Sequence, residues 1–214
     1  MSLFDTLNAA ACTSWYQLHS SAVNIITQTS GDISGTLNSI FLTNRQLCGN
    51  FINSVHIDNI DMIQSQDFTI FIWLLQTITP ESGYTNTIYE SSDLTADSYI
   101  RIEINSSNQI TVIIKNGVNN NSLVYTSPIT NNVWYNIAIT HTVNNITLYV
   151  NGISAITGSS FELDIVYQTL NSIGCQAINK SNPFTGYLKN LFLFGNILTI
   201  KQIQKFYYLT YINN

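Results

Sequence analysis

The chain has 214 residues with seven Lys or Arg against twelve Asp or Glu, so its net charge is −5 and only 9% of its residues are charged. Soluble domains usually carry about 25% charged residues. The 45% hydrophobic content excludes disorder, seven cations exclude a nucleic-acid binder, and three Cys in a chain of this length exclude a disulfide scaffold. Asn, Ser, Thr and Gln stand where charges would, as in Asn119-Asn120-Asn121 and Asn144-Asn145. A neutral polar surface suits hydrogen bonds to uncharged sugars or to neighbouring subunits better than electrostatic steering. The abundance of Ile and Asn fits an A+T-rich genome.

In chain order, the first stretch, Met1 to Cys12, lacks the basic n-region and apolar h-region of a signal peptide. No run approaches the length of a membrane span, so no insertion is expected. Thr69–Gln76 is β-branched and aromatic and reads as a buried strand. Tyr99–Ile104 alternates, with Ile100, Ile102 and Ile104 on one face and Tyr99, Arg101 and Glu103 on the other. Ile110–Lys115 follows a turn at Asn105–Asn108, and Asn116-Gly117 closes that strand. Ser122–Thr126, Trp134–His141 and Ile146–Asn151 complete the run, with turns at Asn144-Asn145 and Asn151-Gly152. Short strands at this spacing predict an antiparallel sandwich or barrel. Thr199 with Gln202 forms a capping-box pattern, and Ile200, Ile203, Phe206 and Tyr207 give a helical stripe, so a short helix is expected near residues 199–208. It is expected to cover an open sheet edge or end. Nothing divides the chain, and residues 1–214 read as one domain with its core at about 15–207.

The order of features from Trp134 onward is specific. Trp134–Thr140 precedes Tyr149-Val-Asn-Gly152, then Asn171-Ser-Ile-Gly174, Phe184-Thr-Gly186, Leu188–Phe194 and the helix opening at Leu198-Thr199. This resembles the laminin G-like (pentraxin-like) branch of the concanavalin A-like lectin/glucanase superfamily. Asp32–Gly35, Phe51–Ile57 and Asp67–Trp73 look like that branch's opening strands. The resemblance implies an all-β antiparallel jelly-roll sandwich with rim loops free for ligands. Trp73 and Trp134 are expected to fill the core between its sheets, with Gly174 and Gly186 allowing bends or close backbone approach.

Catalytic patterns are few. The superfamily's glycoside hydrolases use an ExDxxE strand. Glu162-Leu-Asp164 matches the first two acids, but Tyr167 stands at the third, so no enzyme is expected. His19, His56 and His141 lack a nucleophile-elbow context. Cys12, Cys48 and Cys175 read as thiols or as one disulfide and one thiol, with no metal-ligand spacing. Relatives of this shape often hold calcium at the rim. Glu90, Asp93 and Asp97, read as a loop cluster, offer one ligand set, and Asp58, Asn59 and Asp61 offer another. For a sugar, the candidate contacts are Tyr84, Tyr89, Tyr99, Arg101, Asn144 and Asn145, which combine stacking rings with hydrogen-bonding groups. The expected function is a non-catalytic lectin-like adhesion domain on a virion surface or in a capsid. The alternatives are a stand-alone extracellular carbohydrate-binding module, exported without a signal peptide, or a structural assembly subunit. Glycans or other capsid and virion proteins are the expected partners, with self-association into a homo-oligomer favoured by the low charge and twelve Tyr.

Overall fold

A computed structural model describes residues 12–16, 18, 32–34, 39–41, 47–51, 56–58, 65–163 and 170–212. Among these, two antiparallel sheets face each other. The first, of eight strands, runs β13 (Ile153–Ser159), β12 (Asn145–Val150), β11 (Tyr135–His141), β6 (Phe68–Gln76), β15 (Gly186–Phe194), β4 (Leu47–Phe51) and β3 (Ser39–Phe41). Its eighth strand, β1 (Cys12–Tyr16), also pairs with β15. The second, of seven strands, runs β10 (Asn119–Val124), β9 (Ile110–Asn116), β8 (Ser98–Asn105), β7 (Thr85–Ser92), β14 (Leu170–Ile173), β5 (His56–Asp58) and β2 (Asp32–Ser34). The expected sandwich is what forms.

Alternation builds the space between the sheets. Ile100, Ile102 and Ile104 of β8 and Ile110, Val112 and Ile114 of β9 meet Ile70, Ile72 and Leu74 of β6 and Ile137 and Ile139 of β11. The opposite residues in the middle of the eight-stranded sheet, on β6, β11 and β15, are largely shielded from water. Phe71, Trp73, Ala138, Phe192 and Phe194 form a second cluster with Leu198, Ile203 and Phe206. That cluster is the underside of α1 (Ile200–Ile212), the single helix of the described residues. The helix is longer than expected at its C-terminal end, and it covers a sheet face rather than an edge. Its cap matches the expectation: the Thr199 amide donates to Gln202 Oε1 at 2.9 Å, and the Gln202 amide donates to Thr199 Oγ1 at 3.3 Å.

This third layer corrects the placement of the tryptophans. Trp73 lies under the helix, outside the inter-sheet core. Its Nε1–H donates to Thr210 Oγ1 at 2.8 Å, and its ring stacks on Tyr207 and Tyr211. Trp134, half-buried, packs against the same cluster. Lys189, 1% exposed, places Nζ 5.0 Å from the Trp73 ring centre and 4.7 Å from that of Trp134. A bulge between Lys189 and Phe192, with Asn190 at φ +53°, restores the in–out register of β15.

Gly186 opens β15 so close to β6 that a Cβ there would stand 2.1 Å from the Leu75 carbonyl oxygen, which is the close approach expected at this glycine. Asn151 and Gly152 take φ +52° and +75°, the geometry of the tight hairpin expected of that dipeptide. Two strands escape a reading by alternation. In β7 a bulge between Thr87 and Tyr89 breaks the period, and in β13 the residues are mostly exposed. Cys12 Sγ donates to the Leu193 carbonyl at 3.5 Å, buried Cys175 Sγ lies 3.1 Å from the Ser172 hydroxyl, and His19 lies outside the described residues. No helix among the described residues is long and apolar enough to cross a membrane.

At the rim where β11 ends, His141 is fully buried and stacked on Phe68. Its Nδ1–H donates to the Gln66 carbonyl at 2.7 Å, which leaves Nε2 to accept from the Ser160 hydroxyl at 2.7 Å. Burial holds the imidazole below its ordinary pKa, against the Gln66 and Phe161 backbone groups and Asp67, which pull it up. The folded state therefore resists protonation more than the unfolded chain does. Its contribution to stability is complete above about pH 6.5 and is lost as pH falls from there towards the folded value. The melting temperature is expected to fall between about pH 7 and pH 5. His141→Gln should flatten that part of the profile, at a cost in stability at neutral pH.

Truncating the apolar centre of the third layer gives a second expectation. Phe206 touches Phe71, Phe192 and Phe194 with ring centres 5.2 to 6.2 Å apart. Phe206→Ala should cost about 3–5 kcal/mol in a denaturant titration. Exposed Tyr208→Ala should cost under about 1 kcal/mol.

Candidate functional site: a cleft at one rim

The chain leaves β6 at Gln76 and crosses to β7 through residues 77–84. The Tyr84 amide donates to the Glu81 carbonyl at 3.0 Å, and Gly83 at φ +86° closes this turn. The turn carries Tyr84 outward, 63% exposed. A second segment faces it. The Asn182 carbonyl accepts the Thr87 amide at 2.8 Å, and the Thr185 carbonyl accepts the Thr77 amide at 3.1 Å. Between the two walls lies a cleft of about 440 Å³. This is within the range of small-molecule sites, about 300–1,000 Å³. One wall presents Ile78, Thr79, Glu81 and Tyr84, and the other Ser181, Asn182, Pro183 and Thr185.

An amide network supports the first wall. Gln76, fully buried, donates through Nε2 to Asn108 Oδ1 at 2.9 Å and to Asn131 Oδ1 at 3.0 Å. Asn86, which also lines the cleft, donates to Gln76 Oε1 at 3.2 Å and to the Ile78 carbonyl at 3.1 Å. Asn131 in turn donates to Thr79 Oγ1 at 3.0 Å. Three loops at this rim are thereby tied to one buried glutamine.

The second wall is steadied by buried charge. Glu90, 1% exposed, lies in β7 rather than in the loop expected from the sequence. It pairs with Arg101 of β8 and accepts the Ala177 amide at 3.2 Å, so it reaches the 174–183 segment. Arg101 also lies 3.9 Å from Glu103, and its guanidinium rests 4.6 Å from the Tyr99 ring centre. Glu103 accepts the hydroxyl of Thr85, another cleft residue, at 3.1 Å. Burial pushes Glu103 above the usual carboxylate range, while Arg101 and Thr85 pull it down and Glu90 adds to the rise.

The expected sugar-contact residues are not brought together. Tyr84 is in the cleft. Tyr89 is 0% exposed within the inter-sheet core, so it has no face to offer a sugar. Tyr99 and Arg101 lie on the outer face of the seven-stranded sheet, where Arg101 is committed to Glu90. Asn144 and Asn145 are exposed on the β11–β12 turn, at the opposite rim from Gln76, since β11 runs antiparallel to β6 from Leu74 back to Phe68.

The members of the first calcium set are engaged by the protein's own groups. Glu90 is taken by Arg101 and Ala177. The Asp93 carboxylate accepts the amides of Thr95, Asp97 and Ser98 at 3.0–3.1 Å. Slight burial raises its pKa, and those bonds with the Thr95 hydroxyl outweigh it, holding the group below the usual carboxylate range. Asp97 lies 3.4 Å from Lys115 Nζ. Among the described residues no three His, Cys, Asp or Glu side chains converge as a metal site. Of the second set, Asp58 sits at the end of β5, while Asn59 and Asp61 lie outside the described residues. Glu162 is exposed, and Asp164 also lies outside them.

The sequence profile of the concanavalin A-like lectin/glucanases superfamily matches residues 51–204. The chain belongs to that superfamily. No curated protein matches it by sequence. Domain 4 of AbnA, a GH43 extracellular arabinanase from Geobacillus stearothermophilus, was solved in complex with arabinotriose. It matches with a TM-score of 0.75 at 14% identity, over 92% of this chain and 98% of that one. The botulinum neurotoxin serotype D ligand binding domain, solved with N-acetylneuraminic acid, matches with a TM-score of 0.73 at 15% identity, over 98% of this chain and 54% of that one. A botulinum neurotoxin type C structure, from work on cell entry dependent upon two ganglioside molecules, matches with a TM-score of 0.69 at 16% identity, over 96% of this chain and 52% of that one. The superfamily member described here thus spans about half the length of those toxin chains. At such identities the likeness is one of fold.

The sequence reading missed the amide network and the 174–183 wall. Asn and Gln are too common here for Gln76, Asn86 and Asn131 to stand out. The paired charges, Glu90 and Arg101, were the available signal. Removing one member of a buried pair strands the other, at about 3–5 kcal/mol. Arg101→Met is expected to destabilise the fold by about that much in a urea titration. It should also raise amide exchange at Ala177, read by hydrogen-exchange mass spectrometry.

Proposed function

We propose that this chain is a non-catalytic carbohydrate-binding module that holds a glycan in the rim cleft beside Tyr84. The observation that carries the reading is the cleft's composition. An exposed phenol ring lines a hollow whose other walls combine Ile78, Pro80 and Pro183 with hydroxyls, amides and one carboxylate. A sugar needs that pairing: a flat apolar face to stack on and short polar groups for its hydroxyls. Binding of arabinotriose and of N-acetylneuraminic acid by chains of this fold supports a sugar as the ligand. The carboxylates of the seven-stranded sheet support the non-catalytic part, because Glu90 and Glu103 both face Arg101 rather than an open cleft. The proposal is confined to binding; the virion and capsid settings expected from the sequence form no part of it.

A glycan array with the folded protein tests the reading, run in calcium and again in EDTA. Binding is expected, and EDTA should leave it unchanged, because the described acidic cluster is engaged by its own loop and by Arg101. Tyr84→Ala should weaken the best array ligand by about tenfold or more, and Tyr84→Phe should retain it. Silence on the array, or an unchanged affinity in Tyr84→Ala, would overturn the proposal and favour a structural assembly subunit.

A further inference from the structure

We infer that the cleft selects uncharged glycans and rejects acidic ones, with Glu81 as the residue that sets this preference. The inference rests on the carbohydrate-binding reading and deepens it. Among the described residues neither wall presents a Lys, Arg or His, and Glu81 is the one charged side chain lining the cleft. It stands exposed in the same turn as Tyr84, three residues away. A sugar stacked on Tyr84 therefore lies beside a carboxylate. That group accepts hydrogen bonds from neutral sugar hydroxyls and repels a sialic acid or uronate carboxylate.

Two described cations on the neighbouring segments are engaged within the fold. Lys180 adjoins the second wall in sequence, but its Nζ donates to the Ala177 carbonyl at 2.6 Å. Arg101 is held by Glu90 on the outer face of the seven-stranded sheet. The chain as a whole, at −5, adds repulsion at longer range. Acidic sugars are bound elsewhere through cations or through several donors aimed at the carboxylate, and here the second wall offers only Ser181, Asn182 and Thr185. The inference separates this cleft from the toxin domain solved with N-acetylneuraminic acid, despite the common fold.

The test compares neutral arabino-, xylo-, gluco- and galacto-oligosaccharides with oligogalacturonates and sialyllactose, on the array and then by titration calorimetry. Neutral members should bind about tenfold or more tighter than the best acidic member at about 50 mM salt, and the gap should narrow at about 500 mM. Glu81→Lys should close or reverse the gap, and Glu81→Gln should narrow it. Because Glu81 is exposed, both variants should keep the parent's melting temperature. Lys180→Gln should leave the ratio unchanged. Equal or tighter binding of acidic glycans by the parent protein, or a gap that Glu81→Lys does not move, would overturn the inference while leaving a carbohydrate-binding module in place. No binding in either class would overturn both together.

Discussion

The middle of the eight-stranded sheet, β6 with the neighbouring parts of β11 and β15, has no wet face, and strands so placed must be covered on both sides. All nine residues of β6 are buried. Ile70, Ile72 and Leu74 meet the seven-stranded sheet, while Phe71 and Trp73 point the other way. Without the helix those rings would form an exposed apolar patch of the kind that drives association. The helix answers with Ile203 and Phe206 at helical spacing, and with Thr210, whose hydroxyl accepts the Trp73 indole N–H. Thr210 in turn donates to the Phe206 carbonyl at 2.7 Å, so the indole is satisfied without leaving another group stranded. Lys189 completes the cover by lodging its ammonium near two indole faces, where a desolvated cation gains about 2 kcal/mol.

That cover also determines where binding can occur. One broad face of the sandwich is closed by the helix. On the other, the 174–183 segment packs against β7, tied down through Glu90 and the Thr87–Asn182 bond. At the rim, loops can present polar groups without opening either core. At the Gln76 end this is done with neutral amides. Gln76 and Asn131 use both donors and acceptors of one side-chain type to join three loops. Such bonds do not weaken with salt as ion pairs would. The two supports differ in kind: amides behind the Tyr84 wall, and a buried carboxylate–guanidinium pair behind the facing wall.

Legibility from the sequence followed physical simplicity. The strands of the inner core could be read because one face of each is apolar, as in Ile100, Ile102 and Ile104. Asn151-Gly152 and the Thr199–Gln202 cap are local patterns whose geometry depends on few neighbours. What stayed hidden depends on tertiary context. In β7 the bulge near Ile88 turns Tyr89 inward and Glu90 outward, opposite to what an open loop reading implies. Tyr84 and Tyr89 look alike as letters, yet one is raised by a glycine turn and the other fills the core. Trp73 was legible as buried, but which face it buries depends on a helix more than a hundred residues later. Asn108 and Asn131 gave no signal because a network of amides has no spacing rule.

The scarcity of charge and the internal use of what charge there is are two sides of one design. Of the seven cations, Arg101 holds Glu90, Lys115 reaches Asp97 and the Ala96 carbonyl, Lys180 holds the Ala177 carbonyl, and Lys189 sits between tryptophans. Four of seven are thereby committed within the fold, leaving little positive potential to draw an anionic partner from a distance. Under the proposed carbohydrate-binding role, encounter then relies on contact: stacking on a ring, and hydrogen bonds to hydroxyls and amides that are short-ranged and directional. Such recognition gains from a cleft whose walls are already held in place, because each side chain ordered beforehand is an entropy cost not met on binding. The buried amides and the Arg101–Glu90 pair supply that rigidity from behind the two walls.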